Sequence, residues 1–114
     1  MRMLLVLLSL WGVLASNAWA QFSGPEALGR AATVAQISEA RPGSYVTVTG
    51  NIVAHQRGDY FTFRDATGDI RVEIEDSVWR NRPVAPETKV RLLAEVDRGL
   101  AGRYLWVKSL QIVD

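Results

Sequence analysis

The chain has 114 residues, with 13 Lys and Arg against 12 Asp and Glu, one His and no Cys. The lack of cysteine excludes disulfides, thiolate chemistry and Cys-ligated metals. The near-neutral balance removes the bulk electrostatic drive towards nucleic acid, whose affinity comes largely from neutralising phosphates.

The first residues predict a secretory leader. Arg2 precedes an apolar run, Leu4 to Leu14, broken only by Ser9 and Gly12, and Ala18-Trp19-Ala20 forms a small-x-small site before Gln21. The run is too short to span a bilayer, so residues 1–20 are expected to be a signal peptide cleaved after Ala20, leaving no transmembrane segment in the mature chain. Loss of Arg2 brings the basic residues level with the 12 acidic ones. Residues 21–32 hold Gly24, Pro25 and Gly29 without periodicity and read as a flexible N-terminal arm. Residues 33–114 read as one domain, held by its core alone.

Thr33 and Gln36 have capping-box spacing, so a short helix is expected from Val34 to about Ala40, ended by Arg41-Pro42-Gly43. The chain then turns to β. Tyr45 to Val53 alternates, with Val46, Val48, Gly50 and Ile52 on one side, and Gly50 suggests a bulge or a sharp coil. His55 to Asp59 reads as a polar turn. Tyr60 to Arg64 and Ile70 to Glu75 read as strands around a turn at Asp65 to Asp69. Their parity puts Phe61, Phe63, Ile70, Val72 and Ile74 inside, and Tyr60, Thr62, Arg64, Arg71, Glu73 and Glu75 outside. Asp76 to Pro86 interrupts the sheet, with Trp79 expected to plug one barrel end. Lys89 to Asp97 and Tyr104 to Val113 complete five strands. This pattern fits an all-β, five-stranded Greek-key barrel of the oligonucleotide/oligosaccharide-binding (OB) type, with an SH3-like barrel as its competitor.

The stretch Phe63 to Asp76 holds five acids and two arginines, the densest charge in the chain. As a calcium loop begun at Asp65 it offers Thr67, Asp69, Glu73 and Asp76 at suitable positions. Ile70, however, occupies the place of the turn glycine, and the strand from Ile70 cannot curl around an ion. Asp65 and Thr67 are therefore expected to bond their own turn, with Gly68 at positive φ. Glu73 and Glu75 share a strand face, but an open face beside Arg64 and Arg71 keeps both ionised, so no catalytic residues are assigned. His55, the one histidine, cannot form a zinc site without partners. No metal site and no cofactor is expected. Single-stranded nucleic acid would want basic and aromatic residues together, and Glu73 and Glu75 would repel its phosphates.

Three segments in this order, "TVAQISEARPGSYVTVTGNIV", "YFTFRDATGDIRVEIEDSVW" and "VRLLAEVD", behind a leader, resemble the bacterial OB-fold (BOF) family, the YgiW/YdeI-type periplasmic stress-tolerance proteins. The resemblance covers about Gly24 to Val113. It implies an OB barrel in the periplasm, no recognised catalytic activity, a role in tolerance of envelope and oxidative stress, and a small or cell-envelope ligand rather than nucleic acid. The chain departs from the family at the basic Arg80-Asn81-Arg82 and at the Gly/Ala-rich Arg98 to Gly102 loop. On this reading the ligand-binding residues are expected to be Tyr60, Thr62, Arg64, Arg71 and Glu73, chosen for their shared outward parity, with His55 and Arg57 at the rim. Cationic groups of the ligand would meet Glu73 and Glu75, and hydroxyls or anions would meet Arg64 and Arg71. The alternative is an interaction module that docks a periplasmic envelope enzyme.

Overall fold

The computed structural model describes residues 29–113, so the expected leader and the arm as far as residue 28 lie outside the described residues. Chain order is β1 (Arg30–Ala31), α1 (Val34–Ile37), β2 (Tyr45–Arg57), β3 (Tyr60–Asp65), β4 (Gly68–Glu73), α2 (Asp76–Trp79), β5 (Lys89–Gly99) and β6 (Gly102–Ile112). β2 to β6 close into a barrel in the order β2-β3-β4-β6-β5, with β5 pairing back onto β2. This is the five-stranded OB barrel with a short N-terminal helix that the sequence predicts. All its pairings are antiparallel except β4 with β6.

Closure depends on β2, which pairs with β5 over Tyr45–Asn51 and with β3 from Asn51 onward. At the switch a side chain on Gly50 would place its Cβ 2.3 Å from the Arg64 carbonyl oxygen and 2.9 Å from Phe63 Cζ. The glycine thus permits a close backbone approach, while the register shifts fall later, between Ile52 and Ala54 and between His55 and Arg57. β2 also runs farther than the sequence predicts. His55–Arg57 are strand, and Gly58 and Asp59 alone make the turn.

Inside the barrel Val48, Phe63, Val72, Ile74, Val90, Leu92, Val96 and Leu105 are fully buried. The alternation that places them follows from the two-residue period of a strand. In β6 that alternation breaks. A register shift opposite Leu93 and Ala94 carries the inward set from Leu105 and Val107 to Leu110. Burial of a side chain such as Phe63 contributes about 1.5–3 kcal/mol, so this layer holds the fold without covalent staples.

The ends of the barrel are closed by the two helices. Val34 and Ile37 of α1 enter the core at one end, and Val78 and Trp79 of α2 pack against it at the other, with Trp79 edge-on to Phe61 at 5.2 Å. α1 is shorter than expected. Thr33 N–H donates to Gln36 Oε1 at 2.9 Å, as a capping box requires, but the helix ends at Ile37. Its first free N–H groups are satisfied from across the molecule. Val34 N–H donates to Asp65 Oδ2 and Ala35 N–H to Thr67 Oγ1, both at 2.9 Å. Behind α2, Arg80 and Asn81 are left-handed, with φ of 53° and 59°. Arg82 folds its guanidinium back to donate to the carbonyls of Val78, Trp79 and Leu110. The basic departure from the family pattern is in this respect a clamp on the loop. Arg30 and Ala31, inside the segment read as a flexible arm, form a parallel strand on Val46 and Thr47.

Candidate ligand-binding face

The outward parity of β3 and β4 sets Tyr60 and Thr62 beside Arg71 and Glu73, with Tyr60 opposite Glu73 and Thr62 opposite Arg71. The parallel pairing of β4 with β6 sets Glu73 beside Trp106, and Tyr104, two residues earlier, shares that outward side. β5 contributes Glu95 opposite Trp106 and Asp97 opposite Tyr104. These side chains are half-buried on one open sheet surface, flanked by the Gly58–Asp59 turn and the Leu100–Ala101 turn. OB barrels use this face and the corresponding loops to receive ligands.

At the centre lies an Arg71 guanidinium, its carbon 5.0 Å from the Tyr60 ring centroid and 5.3 Å from that of Tyr104. The two rings meet edge-on at 6.2 Å. Gly99 lies against them, for a Cβ there would sit 3.2 Å from Arg71 Nη2 and 3.4 Å from the Tyr104 ring. Alongside, the Lys108 ammonium sits 3.3 Å from the Trp106 centroid and 3.8 Å from Glu95 Oε1. Trp106 Nε1 donates to Glu75 Oε2 at 3.3 Å, and the Tyr104 hydroxyl donates to Asp97 Oδ2 at 3.4 Å.

The charge on this face is unbalanced. Burial, then the neighbouring carboxylates Glu75, Asp59 and Asp97, push the Glu73 carboxyl above its ordinary value, with Arg71 opposing. Burial together with Asp97 and Glu73 raises the Tyr104 hydroxyl in the same way.

The sequence-predicted residues divide accordingly. Tyr60, Arg71 and Glu73 come together, and Thr62 lies beside them, accepting from Gln56 Nε2 at 3.0 Å. Arg57 is exposed opposite Tyr60. His55 instead stacks on Phe61 at 4.7 Å and holds the tight turn through Nε2, 2.9 Å from the Gly58 carbonyl oxygen. Arg64 stands at the far end of the hairpin, exposed and bonded to both Asp69 oxygens at 2.7 and 3.0 Å. Asp59, Asp97, Tyr104 and Trp106 complete the face, none of them among the ligand-binding residues expected from the sequence. Strand parity marks Tyr104 and Trp106 as outward, but only the β4–β6 pairing reveals which strand they join.

The turn at Asp65 behaves as its sequence predicts. Asp65 Oδ1 accepts from the Thr67 N–H at 2.7 Å and from its hydroxyl at 2.6 Å, and Gly68 has φ of 154°. Burial alone would raise the Asp65 carboxyl, but bonds from Thr67, Val34 and Gly68 outweigh it and hold it below the ordinary value. Among the described residues no group of three or more His, Asp or Glu is arranged to hold a metal ion. A separate groove of about 760 Å³ runs past Arg30, Gln36, Glu39, Arg41 and Tyr45, away from the aromatic cluster.

The family model described as "Bacterial OB fold (BOF) protein" matches residues 14–112. The chain belongs to the bacterial OB-fold family. The "Calcium-regulated OB-fold protein CarO" of Pseudomonas aeruginosa is 37% identical over 94 residues, 82% of this chain and 81% of that protein. Protein YgiW of Escherichia coli K12 is 33% identical over 104 residues, covering 82% of this chain and 80% of YgiW. The solved structure of the hypothetical protein ygiW from E. coli superposes with a TM-score of 0.71 at 33% identity, over 75% of this chain and 91% of that one. The family match spans the barrel and the strands that build the face.

Proposed function

We propose that this bacterial OB-fold protein is a non-enzymatic periplasmic binding module. It holds a small or cell-envelope ligand on the outer face of β3 and β4, completed by β6, and thereby contributes to tolerance of envelope and oxidative stress. The observation that carries the reading is the Tyr60–Arg71–Tyr104 cluster, gathered from three strands beside carboxylates whose charge it does not balance. Charged and aromatic side chains assembled on the ligand-receiving side of this fold support recognition. An open sheet surface supports binding over catalysis, since it leaves developing charge in water rather than against preorganised dipoles. The periplasmic stress role is what the resemblance of the sequence to the YgiW/YdeI-type proteins implies.

Thermal unfolding of the full-length gene product, purified from the envelope fraction, tests this against calcium, polyamines, peptidoglycan fragments, haemin and single-stranded DNA. A ligand at 100 times its dissociation constant stabilises by about 2.7 kcal/mol. That moves the midpoint by roughly 10 °C or more in a domain of this size. A shift abolished by replacing Tyr60 and Glu73 supports the reading. No shift with any compound, or one indifferent to those replacements, would turn the reading towards protein docking.

A further inference from the structure

The aromatic rings of the face already hold cations, and both cations belong to the chain. Arg71 lies over both Tyr60 and Tyr104, and Lys108 lies over Trp106. An aromatic ring face attracts a positive group through its quadrupole, so these rings are arranged to accept ammonium or guanidinium. Lys108 has Glu95 as its counter-charge. Glu73 lies in the field of Glu75, Asp59 and Asp97, which Arg71 opposes. The Trp106 and Tyr104 donors orient two of those carboxylates without neutralising them. The surroundings of Glu73 therefore accommodate further positive charge.

The other ligand classes fit less well. Arg64 and Arg71 are the arginines the sequence offers to an anion. Arg64 is engaged by both oxygens of Asp69, and Arg71 lies over two aromatic rings. A nucleobase would have to expel Arg71 from the ring faces while its phosphates met Asp59, Glu73 and Asp97.

We propose that this face binds an organic cation, an alkylammonium or guanidinium group, with Glu73 as its counter-ion and Tyr60 and Tyr104 as its aromatic wall, and that Arg71 is its internal competitor. The inference rests on the binding reading above and names the ligand class of that site. It makes an unusual demand. Removing a positive residue from the site must strengthen binding, because Arg71 occupies the rings and repels the incoming charge.

The test is titration calorimetry of the full-length gene product with spermidine at low ionic strength, repeated with a short Lys/Arg peptide and with an uncharged peptidoglycan saccharide. Spermidine and the peptide distinguish a free polyamine from a basic side chain as the source of the cation. Arg71→Ala is expected to tighten cation binding by about threefold to tenfold, and Glu73→Gln to weaken it by a similar factor. Lys89→Gln, at the start of β5, controls for general charge effects and should leave binding unchanged. Weaker cation binding in Arg71→Ala would overturn the proposal, as would equal binding by wild type and Glu73→Gln. If the saccharide binds and loses affinity in Tyr60→Leu while neither cation binds, the inference fails and the binding module stands. If nothing binds, both fail.

Discussion

At the turn end of the β3–β4 hairpin, Arg64 and Asp69 satisfy each other, and Asp65 takes up N–H groups from its own turn and from α1. A few residues along the same charged run, Glu73 faces Glu75, Asp59 and Asp97, with Arg71 opposing them. One end consumes its charge in holding the hairpin to the helix, and the other leaves its charge unbalanced among aromatic rings. Charge density alone therefore says little about function. What separates the ends is whether each carboxylate has already found its partner, and a carboxylate without a matching charge costs stability that ligand binding can return.

Substitutions can test this contrast. Phe63 lies beneath the hairpin and is fully buried, so Phe63→Ala should cost about 3–5 kcal/mol in urea unfolding. A smaller loss would mean that the barrel does not supply the common support for both ends. Asp65→Ala removes the acceptor that caps α1 and should cost about 1–2 kcal/mol, without changing affinity at Tyr60 and Tyr104. Loss of ligand binding in a folded Asp65→Ala protein would break the division between the ends. Glu73→Gln should do the reverse, weakening the cation while leaving stability near neutral pH unchanged or raised by a few tenths of a kcal/mol. Arg64→Ala should have the smallest effect, since the Arg64–Asp69 pair lies on the surface, and neither unfolding midpoint nor ligand affinity should move measurably.

The ends also differ in the sign of their pH dependence. Asp65 has its carboxyl depressed, so its contribution is present above the ordinary Asp value and is lost as pH falls through the lower folded value. Glu73 has its carboxyl raised, so the folded state binds the extra proton between the ordinary Glu value and the higher folded one. Across that window stability declines as pH rises. Urea midpoints measured against pH should show the acid-side loss diminished in Asp65→Ala and the later decline diminished in Glu73→Gln. The same slopes in wild type and both variants would assign the pH dependence to other groups.

Much of the barrel was legible because a half-buried strand writes its two faces into alternate residues. Phe63, Val72, Val90 and Leu105 were placed by that period, and Trp79 was recognised as a plug by its bulk beside two prolines. What stayed hidden depends on contacts between distant segments. Asp65 and Thr67 looked complete within their own turn, and nothing local indicates that they also cap α1, about 30 residues earlier. Arg30 and Ala31 looked like an arm because a strand of two residues has no period to detect. The face was half legible. Tyr60, Arg71 and Glu73 followed from one hairpin, whereas Tyr104 and Asp97 join them only through the parallel β4–β6 pairing. Shared parity also put Arg64 in the same set as Tyr60, since parity reports the side of a strand and not the distance along it.

The most direct test of the account is an amide map of the full-length gene product by two-dimensional NMR during titration with spermidine. Saturable shifts are expected at Tyr60, Arg71, Glu73 and Tyr104, with Asp65, Thr67 and Asp69 unmoved. Shifts concentrated at the turn end, or none at the root of the hairpin at millimolar spermidine, would contradict it.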